Sequence, residues 1–377
     1  MLIGIDGNEA NIKDRVGIGQ YAYNILTHIH KLDKTNNYII YLKNPPLYDL
    51  PKPSKNWQYC VFGPKKLWTR LALPIKLYTQ NTPLDLFFSL SHYSPYFSSC
   101  PTICSIMDLG FLRYPGQFTK KDLYQLTNWT NHSIKKASHI IAISKFTKRQ
   151  IIKKYNIQTE KITVAYPGVS TPISTTAKQS RLILSKFKIQ KPYLLHFGTL
   201  KPSKNIPFLI KSFSKKNSPS LQLVIAGKKG WLFNNIFSTV KKLNLANKQT
   251  RSPPLVEQII FTDYITEKQK WVLLKNAKAL VIPSTYEGFG IIAIEAQKLG
   301  TPVLASNISI LKEVLGNSAI FFNPRKQDEL VNAIRQIINP KIHQKYSKLG
   351  QKNSKNFTWS IAAKRIIQVF NSIEIKK

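Results

Sequence analysis

The chain has 377 residues, 43% of them apolar, which is enough for two domains with cores of their own and argues against wholesale disorder. Lys and Arg number 56 against 18 Asp and Glu, a net charge of +38, which points either to anionic partners or to a compositional habit of a Lys-, Asn- and Ile-rich chain. No uninterrupted apolar run approaches the roughly 18 residues of a membrane span, and Cys60, Cys100 and Cys104 have neither CxxC nor zinc spacing. The opening MLIGIDGNEA runs straight into a strand, without the basic start of a signal peptide. The expectation is a cytoplasmic protein with reduced thiols.

Leu2 to Asp6 reads as a buried strand, with a loop to Gly17-Ile18-Gly19 and helical apolar spacing from Tyr21 to His30. The Gly17-x-Gly19 pair is read two ways, as a bare tight turn or as a place where backbone approaches a ligand. Tyr38 to Leu42 is a second strand. Between Pro64 and Tyr78, Lys65, Lys66, Arg70 and Lys76 surround Trp68, Leu71, Leu73, Ile75 and Leu77. That stretch either lies on a membrane surface or packs as a helix with a solvated face. Leu84 to Leu90 and Thr102 to Ile106 are strand-length apolar runs, the second followed by Met107-Asp108-Leu109. Leu123 to Ala137 reads as a helix, Ile140 to Ile143 as a strand, and Ser144 as the N-cap of a helix from Lys145 to Tyr155. Lysines from Lys135 to Lys154 concentrate positive charge here. Ile162 to Ala165 closes the series, and Ser170 to Ser180, rich in Ser, Thr and Pro, reads as linker.

Then the pattern restarts. Tyr193 to Phe197 is a strand, Gly198 a turn and Pro207 to Ser214 a helix; Leu221 to Ala226 is the next strand, followed by Gly227 to Trp231. Ile259 to Phe261 and Ala279 to Ile282 are strands, with a helix from Glu267 to Asn276 between them. Strands alternating with helices predict parallel doubly wound sheets, which bind ligands at the carboxyl ends of their strands. After Pro283 comes a polar turn, Ser284 to Glu287, then Gly288-Phe289-Gly290 and a helical run from Ile291 to Leu299. Glycines before a helix let free amides approach a ligand, and the helix start carries roughly half a positive charge. Phe289, Gly290, Ile291 and Ile292 therefore offer amides to an anion, most simply a phosphate. Glu287 and Glu295 flank that site as acceptors for sugar hydroxyls. A last helix starts at Phe357-Thr358-Trp359 and ends near Ile373.

Glu287 and Glu295, with seven residues between them, and the words PSTYEGFG, EAQKLGTPVLAS and ISILKEVLG resemble retaining glycosyltransferases of the GT4 type, glycosyltransferase group 1. The resemblance implies an α/β chain of the GT-B fold, two Rossmann-like doubly wound domains with a cleft between them. Residues 1–170 would form the acceptor-side domain, 171–190 a linker and 191–356 the nucleotide-sugar donor domain, with the helix of 357–377 packing back on the first. It implies transfer of a hexose of mannose or glucose type, with retention and without metal or cofactor. The donor, a nucleotide-diphosphate sugar such as GDP-mannose or UDP-glucose, is a co-substrate; the acceptor is a hydroxyl of a glycan or lipid-linked saccharide. By the same resemblance Glu287 meets the transferred sugar, Glu295 the nucleotide ribose, and Gly17 and Gly19 the donor phosphates and acceptor. Gly198 to Asn205 resembles the donor-diphosphate loop, with Lys204 matching and Thr199 standing where the family often has Arg.

Met107 stands where the family has His, and His92 is the nearest polar replacement in sequence. Asp108 either caps the next segment or orients acceptor. The expected location is cytoplasmic, and the basic stretches are read either as a peripheral contact with an anionic membrane surface or as solvated faces. The rival class is a basic membrane-surface or nucleic-acid binding protein on a similar scaffold, and a third reading is a GT-B sugar phosphorylase or epimerase. No nucleic-acid motif stands in the sequence, so no specific nucleic acid is expected.

Overall fold

A computed structural model describes residues 1–216, 220–246 and 255–373, which form two compact units. The first holds Met1–Gly168 and the C-terminal segment from Thr358; the second is Val169–Phe357.

The first unit runs β1 (Leu2–Asp6), α1 (Ile18–Leu32), β2 (Asn37–Leu42), β3 (Trp57–Val61), α2 (Ala72–Thr79), β4 (Leu86–Ser89), β5 (Thr102–Ile106), α3 (Gly110–Arg113), α4 (Lys120–Lys136), β6 (His139–Ala142), α5 (Lys145–Tyr155) and β7 (Ile162–Val164). The second runs α6 (Ala177–Lys186), β8 (Tyr193–Phe197), α7 (Ile206–Lys216), β9 (Gln222–Ala226), α8 (Asn234–Ala246), α9 (Leu255–Gln258), β10 (Ile259–Asp263), α10 (Glu267–Asn276), β11 (Ala279–Ile282), α11 (Ile291–Lys298), β12 (Val303–Ser306), α12 (Ser309–Leu315), β13 (Ile320–Phe322), α13 (Gln327–Ile338) and α14 (Pro340–Ser354). α15 (Trp359–Ser372) returns to the first unit.

Both sheets are parallel throughout their described strands. Their orders are β3-β2-β1-β4-β5-β6-β7 and β10-β9-β8-β11-β12-β13, two Rossmann-like sheets. Parallel sheets are covered on both faces, so their central strands are continuous apolar runs rather than alternating ones. β4, β5, β9, β11 and β12 are accordingly buried at every residue. Strand order reverses between β1 and β4 and between β8 and β11. Adjacent crossovers there leave on opposite faces, and a crevice opens at the carboxyl ends of the strands.

α15 lies on α1. Tyr21 and Trp359 meet edge-on at 6.1 Å, Phe370 packs on Phe88 at 5.3 Å, and Arg365 Nη1 donates to Val164 O at 2.9 Å. Of the segment expected over 357–377, the last four residues lie outside the described residues.

Two stretches differ from the sequence expectation. Ala177–Lys186, read inside a linker, is a helix, because Thr176 and Gln179 close a reciprocal capping box at its start. The stretch from Pro64 is helical only over Ala72–Thr79. It is apolar on both sides: Ala72, Leu73, Pro74 and Leu77 are buried, while Leu71, Ile75 and Tyr78 are exposed. β3, α3, α8, α9, α12, β13, α13 and α14 have no counterpart in the sequence reading. No helix of the described residues is long and apolar enough to cross a membrane.

Candidate functional site

In the second unit the loops after β8 and β11 face each other across the switch point. The loop after β8 folds as a short 3-10 turn over Pro202–Lys204 and ends at Asn205 in the left-handed region. Asn205 Nδ2 donates to Pro283 O at 3.2 Å and to Pro324 O at 3.0 Å, and Thr285 N donates to Ser203 O at 2.9 Å. These ties hold the two loops in one register. Across them Lys204 Nζ donates to Glu287 Oε1 at 2.7 Å, and Ser284 Oγ donates to the same oxygen at 2.7 Å. Lys204 and Glu287 side chains are 16% and 11% exposed, so the pair is largely withdrawn from water yet open on one side. Burial pushes the Glu287 carboxyl up, but the Lys204 charge and hydrogen bond, with Ser284 and Lys201, outweigh it and hold the group below its ordinary value.

The loop after β9 braces the first of these. Gly198 N donates to Ala226 O at 2.9 Å and Leu200 N to Lys228 O at 3.0 Å, extending the parallel ladder past the strands. Gly227, at φ 142°, allows this approach: a Cβ there would stand 2.1 Å from Gly198 O. Thr199 packs its methyl group under Gly230 and carries no charge toward the site. Lys201 Nζ sits 5.5 Å over the Trp231 ring.

Gly290 caps α11 at φ 87°, a conformation that favours glycine. No side chain caps the helix start, so the first amides, those of Ile291 and Ile292, lack partners within the helix. Phe289 is buried against Phe357 at 5.7 Å. Glu295, one turn into α11, does not join the Lys204–Glu287 pair. Its Oε1 accepts from Lys270 Nζ of α10 at 2.9 Å, and Lys270 also reaches Glu267 at 2.8 Å. Burial opposes the charge on Lys270, yet the two carboxylates hold its affinity for a proton above the ordinary value.

Sequence reasoning missed Lys270, Ser284, Asn205 and His196. His196 offered a signal, a lone histidine inside the apolar strand YLLHF. Its ring is buried. Nδ1 lies 3.0 Å from Val281 O, and because a carbonyl only accepts, Nδ1 carries the proton. Nε2 is buried without a partner. Burial pushes His196 down to about 4, with Lys204 and Glu287 acting on it in opposite senses.

In the first unit, Gly17 begins α1 at φ 49° and Gly19 is buried in its first turn. The preceding loop is pinned by Arg15, which donates to Ala10 O at 2.6 Å and to both Asp49 oxygens at 2.5 and 2.9 Å. After β5, Asp108 Oδ1 accepts from Gly110 N at 2.6 Å and so starts α3. Met107 is buried, and its carbonyl accepts from Thr147 Oγ1. His92 is also buried, with no partner on Nδ1. Burial lowers its basicity while the Asp108 charge raises it.

The family model of glycosyl transferases group 1 matches residues 183–356, and that of glycosyltransferase family 4 matches residues 17–172. Over 233 residues the sequence is 32% identical to the O-antigen chain mannosyltransferase RfbU of Salmonella typhimurium, a match spanning 62% of this chain and 60% of that protein. It is 23% identical over 317 residues to the O-antigen chain mannosyltransferase B of Escherichia coli, 80% of this chain and 81% of the relative. The fold is similar to that of HepE from Anabaena, solved in complex with UDP-glucose, with a TM-score of 0.73 at 16% identity over 99% of both chains.

Proposed function

The chain belongs to the group 1, GT4-type glycosyltransferases of the GT-B fold, and from that premise we propose that it transfers a hexose from a nucleotide-diphosphate sugar to a glycan hydroxyl. Mannose is the first choice of sugar, because two similar proteins are named as mannosyltransferases. A nucleotide donor is supported by the UDP-glucose held by a protein of the same fold.

One observation carries the reading: a lysine and a carboxylate, both largely withdrawn from water, joined at 2.7 Å where the sheet order reverses. Breaking a sugar–phosphate bond leaves charge on the departing diphosphate. Lys204 is the cation at hand, and the amides of Ile291 and Ile292 add the partial charge of a helix start. Glu287, kept ionised, accepts hydroxyls of the sugar being moved. Thr199, Phe289 and Gly290 shape the wall of this pocket, and Glu295 with Lys270 orients the nucleotide ribose. In the first unit Gly17, Gly19 and Asp108 serve the acceptor. We take transfer to proceed with retention and without metal, as in the family. The acceptor is a lipid-linked saccharide, met by the protein at an anionic membrane surface on the cytoplasmic side. The exposed apolar residues of α2 and the lysines around them support that location.

Thermal stabilisation by a panel of nucleotide sugars, repeated in EDTA, tests the reading. GDP-mannose or UDP-glucose should raise the melting temperature, and the free nucleotide should be released when acceptor is added. A panel that leaves the melting temperature unmoved would overturn it.

A further inference from the structure

Arg70 is held by aromatic rings. Its guanidinium carbon lies 4.1 Å over the Tyr96 ring and 5.0 Å over the Trp129 ring. Tyr96 in turn stacks on His132 at 4.5 Å with the planes 21° apart, and His132 Nε2 lies 2.8 Å from Tyr96 O. Trp129 meets Tyr93 edge-on at 5.4 Å. Three segments therefore fix one cation: the turn before α2, the loop between β4 and β5, and α4. Among the described residues no carboxylate or carbonyl takes a hydrogen bond from Arg70, and its N–H donors stay unengaged. A guanidinium fixed in plane by aromatic faces is pre-organised for two-pronged binding of phosphate oxygens, which a mobile lysine is not.

An apolar stripe starts beside it. Leu67, Leu71, Ile75, Tyr78 and Phe97 are each 45–57% exposed. Ile75 and Tyr78 lie about one turn apart on the exposed side of α2, and Leu71 stands at its start. Tyr96 leads to Phe97 at 6.5 Å and Phe97 to Tyr78 at 5.6 Å, so ring contacts join the stripe to the Arg70 clamp. No acidic residue occurs between Phe62 and Leu84, while Lys65, Lys66 and Lys76 flank the stripe. A cluster of exposed apolar residues rimmed by one sign of charge marks a docking surface for an oppositely charged amphiphile.

We propose that Arg70 binds the phosphate that joins the acceptor saccharide to its lipid, and that the Leu71–Ile75–Phe97 stripe takes the first part of the lipid chain. This deepens the glycosyl-transfer reading and rests on it for the identity of the amphiphile. The binding site itself does not depend on it.

Calorimetric titration of the full chain with octyl phosphate below its micellar concentration tests the site. Inorganic phosphate and uncharged octyl glucoside are the comparators. Octyl phosphate should bind at least about tenfold more tightly than either comparator, since headgroup and chain contribute together. Arg70→Gln should weaken octyl phosphate about tenfold and leave octyl glucoside unchanged. The double variant Leu71→Ser, Ile75→Ser should weaken octyl phosphate and leave inorganic phosphate unchanged. Where Arg70→Gln does not fold, Arg70→Lys decides, because it keeps the charge and loses the planar fork; it too should bind octyl phosphate more weakly. Unaltered affinity in the folded Arg70 variant overturns the proposal. Equal affinity for octyl phosphate and octyl glucoside does the same. Inorganic phosphate binding as tightly as octyl phosphate would make this a site for free phosphate and overturn the lipid assignment. The titrations contain no nucleotide sugar, so failure of this site and failure of the glycosyl-transfer reading are separate results.

Discussion

Lys204 holds a carboxylate, and its 2.7 Å contact with Glu287 makes the two side chains one electrostatic unit. Removing the ammonium does two things. On the proposed reading it deletes the main cation for the leaving group, and it leaves Glu287 with Ser284 and a more distant Lys201 charge. Lys204→Ala should therefore lower kcat by at least about a hundredfold, near 2.7 kcal/mol of transition-state stabilisation. The pH profile should change as well. In the wild type the Glu287 carboxyl sits below its ordinary value of 4.5. The stability it lends is thus complete above that value and is lost only as pH falls through the lower, folded one. Without Lys204, burial prevails, the carboxyl rises, and the acid limb of kcat/KM should move to higher pH. Thr199→Arg should restore part of the activity of Lys204→Ala, since a guanidinium from the same loop reaches the same oxygens. Lys201→Ala alone should be mild; a crippled Lys201→Ala beside a nearly silent Lys204→Ala would assign the diphosphate to the wrong lysine.

At the scale of elements, α10 and α11 are tied by Lys270 and Glu295, both buried. A buried pair broken on one side leaves an uncompensated charge, so Glu295→Gln should cost about 1–3 kcal/mol, moderated by Glu267 on the same ammonium. Lys270→Met in the same chain should recover part of that loss. Chemical unfolding of the two single variants and the double variant measures the coupling, and simple addition of the single losses would exclude it. The same pair shows what was legible beforehand. Glu287, Gly290 and Glu295 stood out because turn, helix start and carboxylates fall within one short stretch. Lys270 is 25 residues upstream of Glu295, and nothing local marks it, because its role comes only from the packing of two crossover helices. The alternation of strands and helices was legible from apolar runs, since strands of parallel sheets are buried on both faces. α6 was missed although Thr176 and Gln179 have capping-box spacing, because the Ser, Thr and Pro content around them outweighed that signal. In α2 the helical period was real, but the sequence could not say which apolar side would be buried.

At the scale of the whole molecule, a net charge of +38 on 377 residues is a property of surface rather than of fold. With 56 Lys and Arg against 18 Asp and Glu, most of this charge has no carboxylate to pair with. Exposed positive charge draws an anionic surface with about 1 kcal/mol per Lys or Arg close to it, and the attraction fades within a Debye length. The chain should sediment with phosphatidylglycerol vesicles at low ionic strength and far less at about 0.5 M salt, where that length shrinks to roughly 4 Å. Charge alone would also predict binding to duplex DNA. The two cases separate through the apolar residues of α2. Leu71→Ser with Ile75→Ser removes no charge, so it should weaken vesicle binding and leave DNA binding unchanged. Co-sedimentation read against a DNA gel shift decides between them. Equal binding to neutral and anionic vesicles would exclude an electrostatic origin. If the double variant kept full affinity for anionic vesicles, lipid and DNA would be held by the same diffuse field, and the charge would carry no preference for a membrane.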